Sequence, residues 1–144
     1  MTNIKAQMTN QAQNPNDKRK YDLEERTAKF GEDIIEFARS LLDTLVNRPL
    51  VNQIVRSGTS VGANYMEADG AESKKDFQHK IAICKKEAKE TTHWLRMIAK
   101  ANSEKQEDCR KLWQEAHEFV LIFSAILRSK KANASDNGTK NSKD

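Results

Sequence analysis

Residues 57–68 read Ser57-Gly58-Thr59-Ser60-Val61-Gly62-Ala63-Asn64-Tyr65-Met66-Glu67-Ala68, two glycines and three small hydroxyl residues in a chain otherwise rich in lysine, glutamate and long apolar side chains. A phosphate-cradling loop of the Walker type needs Gly, four residues and then Gly-Lys-Ser/Thr after a strand, so that backbone N–H groups surround the phosphates. Here Ala63, not lysine, follows Gly62, and no strand pattern precedes the stretch. On a helix, by contrast, Leu50, Ile54, Gly58, Gly62 and Tyr65 fall along one face, and the missing side chains let a neighbouring helix approach. That costs roughly 1 kcal/mol of helix propensity per glycine relative to alanine. The helical reading is preferred, and the rest of the chain agrees with it.

The sequence has 144 residues, a charged fraction of 32%, five Gly and two Pro, which suits one helical domain better than a turn-rich sandwich or barrel. Its formal charge of +4 permits an anionic partner without demanding one. No stretch approaches the roughly 18 apolar residues of a membrane span, and the N-terminus carries no apolar signal region. The expectation is a cytoplasmic protein with reduced Cys84 and Cys109. If the chain turns near Asn102, Cys84 lies about 26 Å before the turn and Cys109 about 11 Å after it, at 1.5 Å per helical residue, too far apart in height to pair.

Residues 1–20 and 131–144 are polar and offer little to bury, so both read as disordered tails around a domain over 21–130. Within it, four segments show apolar residues three and four apart. The first runs from about Leu23 to Val46, with Phe30, Ile34, Phe37, Ala38, Leu41 and Leu45 on one face and Ile35, Leu42 and Val46 beside it. Pro49 suits the first turn of the second. Ser73 with Asp76, and Ser103 with Gln106, read as capping pairs that start the third and fourth. Short links between long helices imply an all-α, antiparallel up-and-down four-helix bundle.

Arg56-Ser57, Ser60-Val61-Gly62-Ala63-Asn64, Glu67-Ala68, Ser73 with Asp76-Phe77, Lys86-Glu87-Ala88, Glu90-Thr91 and Trp94-Leu95 together resemble the four-helix bundle protein family, also called the 23S ribosomal RNA intervening-sequence protein family. The likeness covers about Lys29 to Ser129, with Tyr65-Met66 standing where a smaller Ile-Ala is common. It implies a small bacterial bundle that assembles as a homopentamer and has no established enzymatic activity. Some members are encoded within insertions in ribosomal RNA genes, and related bundles assist a reverse transcriptase.

Turning the third helix at about 100° per residue separates three faces. Phe77, Ile81, Cys84, Ala88, Leu95 and Ile98 form the core stripe. Ile83, Trp94, Met97 and Ala101 point elsewhere, either to a subunit contact or to the flank of a neighbouring helix. Lys75, Lys85, Lys86, Lys89, Arg96 and Lys100, with His93 among them, make a basic strip without a carboxylate. It reads either as solvated surface or as a phosphate-binding face, repeated around a ring in an oligomer. No aromatic lies in the strip, so binding would follow the nucleic-acid backbone rather than its sequence. The fourth helix, with Phe119-Val120-Leu121-Ile122-Phe123 and Ala125-Ile126-Leu127, is apolar nearly all round and calls for a partner.

Glu90-Thr91-Thr92-His93 has the Glu-x-x-His spacing of di-iron bundles, and Asp76 with His79 is a weaker variant. Such sites need two motifs on different helices and further inward glutamates, so both read as surface pairs, and no metal or cofactor is implied. Ser57, Thr59 and Ser60 have no nearby histidine in sequence, Cys84 sits on an apolar stripe, and His117 lacks a ligand-spaced companion. Glu67 and Asp69 are expected to pair with Arg56 or Lys74. The functional expectation is a non-catalytic homo-oligomeric scaffold binding RNA, DNA or a nucleic-acid enzyme such as a reverse transcriptase. The alternative is a protein–protein adaptor whose lysines serve solubility.

Overall fold

The computed structural model describes residues 18–140, with side chains over 23–129. It is all-helical: α1 spans Lys18–Ser40, α2 Asn47–Asp69, α3 Lys74–Ala101 and α4 Gln106–Lys140, with a 3-10 turn at Ser103–Lys105. No strand occurs among the described residues. α4 continues past the boundary expected at residue 130, since nothing between Lys130 and Asp136 breaks a helix and Ala132 and Ala134 favour one. The remainder of the two expected tails, residues 1–17 and 141–144, lies outside the described residues.

The helices meet around one core. Phe30, Ile34 and Phe37 of α1, Ile54, Val61 and Tyr65 of α2, Ile81, Cys84, Leu95 and Ile98 of α3, and Ala116, Phe119 and Phe123 of α4 are all buried. Phe30 and Phe119 pack edge to face with centroids 5.4 Å apart, the arrangement the ring quadrupoles favour. Arg26 further ties α1 to α4: its Nε donates to Glu115 at 3.0 Å, and its guanidinium lies 5.2 Å from the centre of the Phe119 ring.

The 57–68 stretch lies wholly inside α2, which disposes of the phosphate-loop reading. A Cβ on Gly58 would stand 2.9 Å from both Cγ1 and Cγ2 of Ile34, and one on Gly62 would stand 3.3 Å from the carbonyl carbon and oxygen of Thr27. Both glycines therefore admit α1. The hydroxyls around them bond back along the helix, Thr59 to the carbonyl of Val55 and Ser60 to that of Arg56, so their donor hydrogens are used within α2.

Two helix ends differ from expectation. α1 stops at Ser40, not near Val46, and Leu42, Leu45 and Val46 stand exposed in the connection. The cause is a competing start signal. Thr44 Oγ1 accepts the backbone N–H of Asn47 at 3.0 Å, and the Thr44 carbonyl accepts that of Arg48, so the next helical turn is already organised from Thr44. At the start of α3, Ser73 Oγ accepts the N–H of Asp76 at 3.1 Å, as its sequence suggests. Ser103 does not repeat this. Asn102 precedes the 3-10 turn, and its side chain is engaged elsewhere.

That engagement joins two connections. Asn47 Nδ2 donates to Asn102 Oδ1 and Asn102 Nδ2 donates to Asn47 Oδ1, each at 2.9 Å. Asn47 also donates to the carbonyl of Leu42, and Asn102 to that of Ile98. Both residues are buried, so the pair satisfies polar groups that water cannot reach.

Candidate nucleic-acid interface

The outer face of α3 carries the basic strip. Lys75, Lys86, Lys89, Arg96 and Lys100 are exposed and Lys85 is half-buried. Among the described residues none of the six forms an ion pair with a carboxylate, although Arg26, Lys29, Arg48, Arg56, Lys80 and Arg110 all do.

The strip is not purely aliphatic and cationic, as its own helix suggests. Trp113 of α4 joins Lys86, Lys89, Glu90, Thr92, His93 and Arg96 in lining an open concavity of about 770 Å³. An adjoining recess of about 290 Å³ lies between Leu95, Ala99, Cys109 and Gln106, and shares Arg96 and Trp113 with the first. His117, one turn on from Trp113, stacks on the indole with centroids 4.9 Å apart and planes within 14°. Reading α3 alone missed this aromatic because it arrives from another element. The pair Trp113 and His117, four apart on one helix face, was the signal available.

Ile83, Trp94 and Met97 are half-buried within the chain and Ala101 is exposed. Trp94 rests against the core and donates its Nε1–H to Glu90 at 3.3 Å. Gly58, Gly62 and Tyr65 face other helices of the same chain: Tyr65 packs with Phe123 at 6.3 Å. Burial pushes its phenol up to about 12, with Asp69 and Glu24 adding to the effect.

On its α2 side, α3 is closed by paired groups. Arg56 bonds Glu87 at 3.2 Å and also Glu90. The hydrogen bond that Arg56 donates to Glu90 is the main reason the Arg56 pKa is raised. Burial works to raise the Glu90 carboxyl, but hydrogen bonds from Arg56 and Trp94 outweigh it and hold the group below the usual range. Thr91 Oγ1 donates to the carbonyl of Glu87 at 2.8 Å and lies 2.9 Å from Ser57 Oγ, with both hydroxyls buried. Arg56 is thus taken by α3, and Glu67 pairs instead with Lys80 at 2.6 Å, which corrects the expectation that Glu67 would serve Arg56 or Lys74.

Catalytic chemistry finds no constellation among the described residues. No group of three His, Cys, Asp or Glu side chains is placed to hold a metal. Glu90 is occupied by Arg56, and His93 packs edge-on against Trp94. Cys84 and Cys109 are free and buried; burial pushes their thiols up to about 12 and about 11, far from the thiolate a nucleophile requires. No described helix is long and apolar enough to cross a membrane.

Residues 19–125 match the sequence profile of the family described as 23S rRNA-intervening sequence protein. Among curated proteins none matches. A solved structure from Bacteroides thetaiotaomicron, described as a protein with unknown function from the S23 ribosomal protein family, is similar at 29% identity with a TM-score of 0.68, over 74% of this chain and 95% of that one.

Proposed function

The chain belongs to the 23S rRNA-intervening sequence protein family, and from that premise we propose that it is a non-catalytic, cytoplasmic, oligomeric scaffold that binds nucleic acid electrostatically through the outer face of α3. The observation that carries this reading is the set of five exposed cations, Lys75, Lys86, Lys89, Arg96 and Lys100, none paired with a carboxylate among the described residues. Cations left unanswered along one helix face gain by displacing counterions from a polyphosphate, and that gain falls steeply as salt rises.

Association with further copies, as a homopentamer in the family's manner, is part of the proposal. In support, Leu42, Leu45 and Val46 are 71%, 84% and 59% exposed, and Leu121 of α4 is 51% exposed. Cross-helix pairs favour an up-and-down course: Ser57 with Thr91, Val61 with Cys84 and Glu67 with Lys80 advance along α2 while receding along α3. A ring would present several basic strips to one strand, raising avidity without new contacts. The same exposed apolar residues favour a second reading, a protein adaptor, including one that serves a nucleic-acid enzyme such as a reverse transcriptase.

Lys85→Glu with Lys89→Glu separates the two. In a salt titration of RNA binding, with mass followed by light scattering, the double variant is expected to lose most of the affinity at low salt and to flatten the salt dependence, with the oligomer intact. RNA affinity that survives the charge reversal would rule out the basic face as the site.

A further inference from the structure

We infer that the groove between α3 and α4 takes a single strand, one unpaired base stacking on Trp113 while the flanking phosphates lie on Lys86, Lys89 and Arg96. This rests on the electrostatic reading above and adds to it a preference for single strands over duplexes.

Four features converge. Trp113 is 41% exposed, a large indole left outside the core in which Phe30, Phe37, Tyr65, Phe119 and Phe123 are buried. His117 stacks on the indole, and no other ring covers it among the described residues. Trp113 and Arg96 stand between two adjoining concavities of different character. The larger has Lys86, Lys89 and His93 in its wall and suits phosphate, whereas the smaller has Leu95, Ala99 and Cys109 beside Gln106 and Arg110, and its mostly apolar surface suits the flat body of a base. Finally, the carboxylate on the larger wall, Glu90, forms its ion pair with Arg56 of α2 and not with a lysine of the strip, although it feels the charge of Lys86. Aromatic platforms beside a cationic track are how proteins hold single strands with little sequence preference, because every base has a π-face and every linkage a charge. A duplex keeps its bases stacked on one another and has none to offer the indole. Ribose and deoxyribose strands share the chemistry the groove recognises, an unpaired base between two phosphates.

The test uses the full chain with short labelled oligouridylate, oligothymidylate and duplex RNA, read by fluorescence anisotropy at low salt. Trp113→Leu is expected to weaken single-strand binding about tenfold, the lower part of the range for loss of one base stack, and to leave duplex binding unchanged. Trp113→Phe should restore much of the loss. Lys86→Glu with Lys89→Glu should weaken all three ligands. As an independent readout, Trp94→Phe leaves Trp113 as the only indole, whose fluorescence should then be quenched by single strands. A loss confined to one of the two sugars would identify that strand as the ligand. If Trp113→Leu binds single strands like the wild type while the charge reversals weaken every ligand, the stacking site is wrong and the electrostatic reading stands. An equal loss on duplex and single strand, or a change of oligomeric mass in Trp113→Leu, would likewise overturn the stacking site. Absence of binding to any ligand in the wild type would remove both readings.

Discussion

Toward α2, the polar side chains of α3 are answered within the chain: Glu87 and Glu90 by Arg56, and Thr91 by Ser57. On the solvent side of the same helix, Lys86, Lys89 and Arg96 meet no carboxylate, and the neighbouring α4 contributes an exposed indole. The inner seam carries residues of both charges, with Arg56 shared between two carboxylates. The outer face carries cations without an ion-pair partner and an exposed indole whose one ring neighbour among the described residues is His117. Polar groups satisfied at a helix–helix seam hold the two helices in one register, whereas unsatisfied ones on a surface cost little in water and remain available to a ligand. Stability should therefore depend on the first region and binding on the second.

The largest effect is expected where α1 meets the glycine face of α2. Gly58→Leu drives a side chain into Ile34, which is fully buried and has no room to yield, and should destabilise the fold by about 3 kcal/mol in denaturant unfolding. Ile34→Ala alone should cost about 2–5 kcal/mol by opening a cavity. Together the two changes should cost less than their sum, with a coupling above about 1 kcal/mol, because the leucine fills the space the isoleucine vacates. Strict additivity would mean that the two residues are not in the contact described. Next in size is Asn102→Ala, which strands the buried amide of Asn47 and should cost about 2 kcal/mol while leaving RNA binding at the outer face untouched. A change in RNA affinity as large as the change in stability would show that the seam and the face are not separable.

How far the sequence foretold these regions depends on whether each signal was local. The faces of α1 and α3, the Ser73 cap and the role of Gly58 and Gly62 all follow from spacing within one helix, and the structure has Phe30, Ile34, Ile81 and Leu95 in the core. The end of α1 did not follow. Leu42, Leu45 and Val46 continue the apolar period, but periodicity does not show whether there is anything left to pack against, and Thr44 had already begun the next helix. The Asn47–Asn102 pair and the partners of Arg56 bridge residues far apart in sequence, so no window along the chain contains them. The same holds for the site. The lysines could be read from α3, while Trp113 joins them only when α4 is laid alongside.

Glu90 stands where the two regions meet, since it accepts from Arg56 and Trp94 on one side and lines the lysine concavity on the other. Arg56→Met is the smallest change in stability and the sharpest test of the contrast. With Arg56 46% exposed, solvent screens the pair, and the loss should be about 0.5–1 kcal/mol near pH 7. Its pH dependence has a definite sign. The Glu90 carboxyl is held below its ordinary 4.5 in the folded chain, so the pair's contribution is fully present above that value and is lost as pH falls through the folded pKa. The wild type and Arg56→Met should therefore differ in thermal stability at neutral pH and converge in acid. Released from Arg56, the Glu90 carboxylate is also free to turn on Lys86, whose charge it already feels, so RNA affinity at low salt should fall even though no cation of the outer face has been removed. A constant stability gap from neutral pH into acid would mean that Arg56 acts through packing of its aliphatic stem. Unchanged RNA affinity would mean that the carboxylate stays in the seam without its partner, and that the boundary between the two faces is fixed by more than one ion pair.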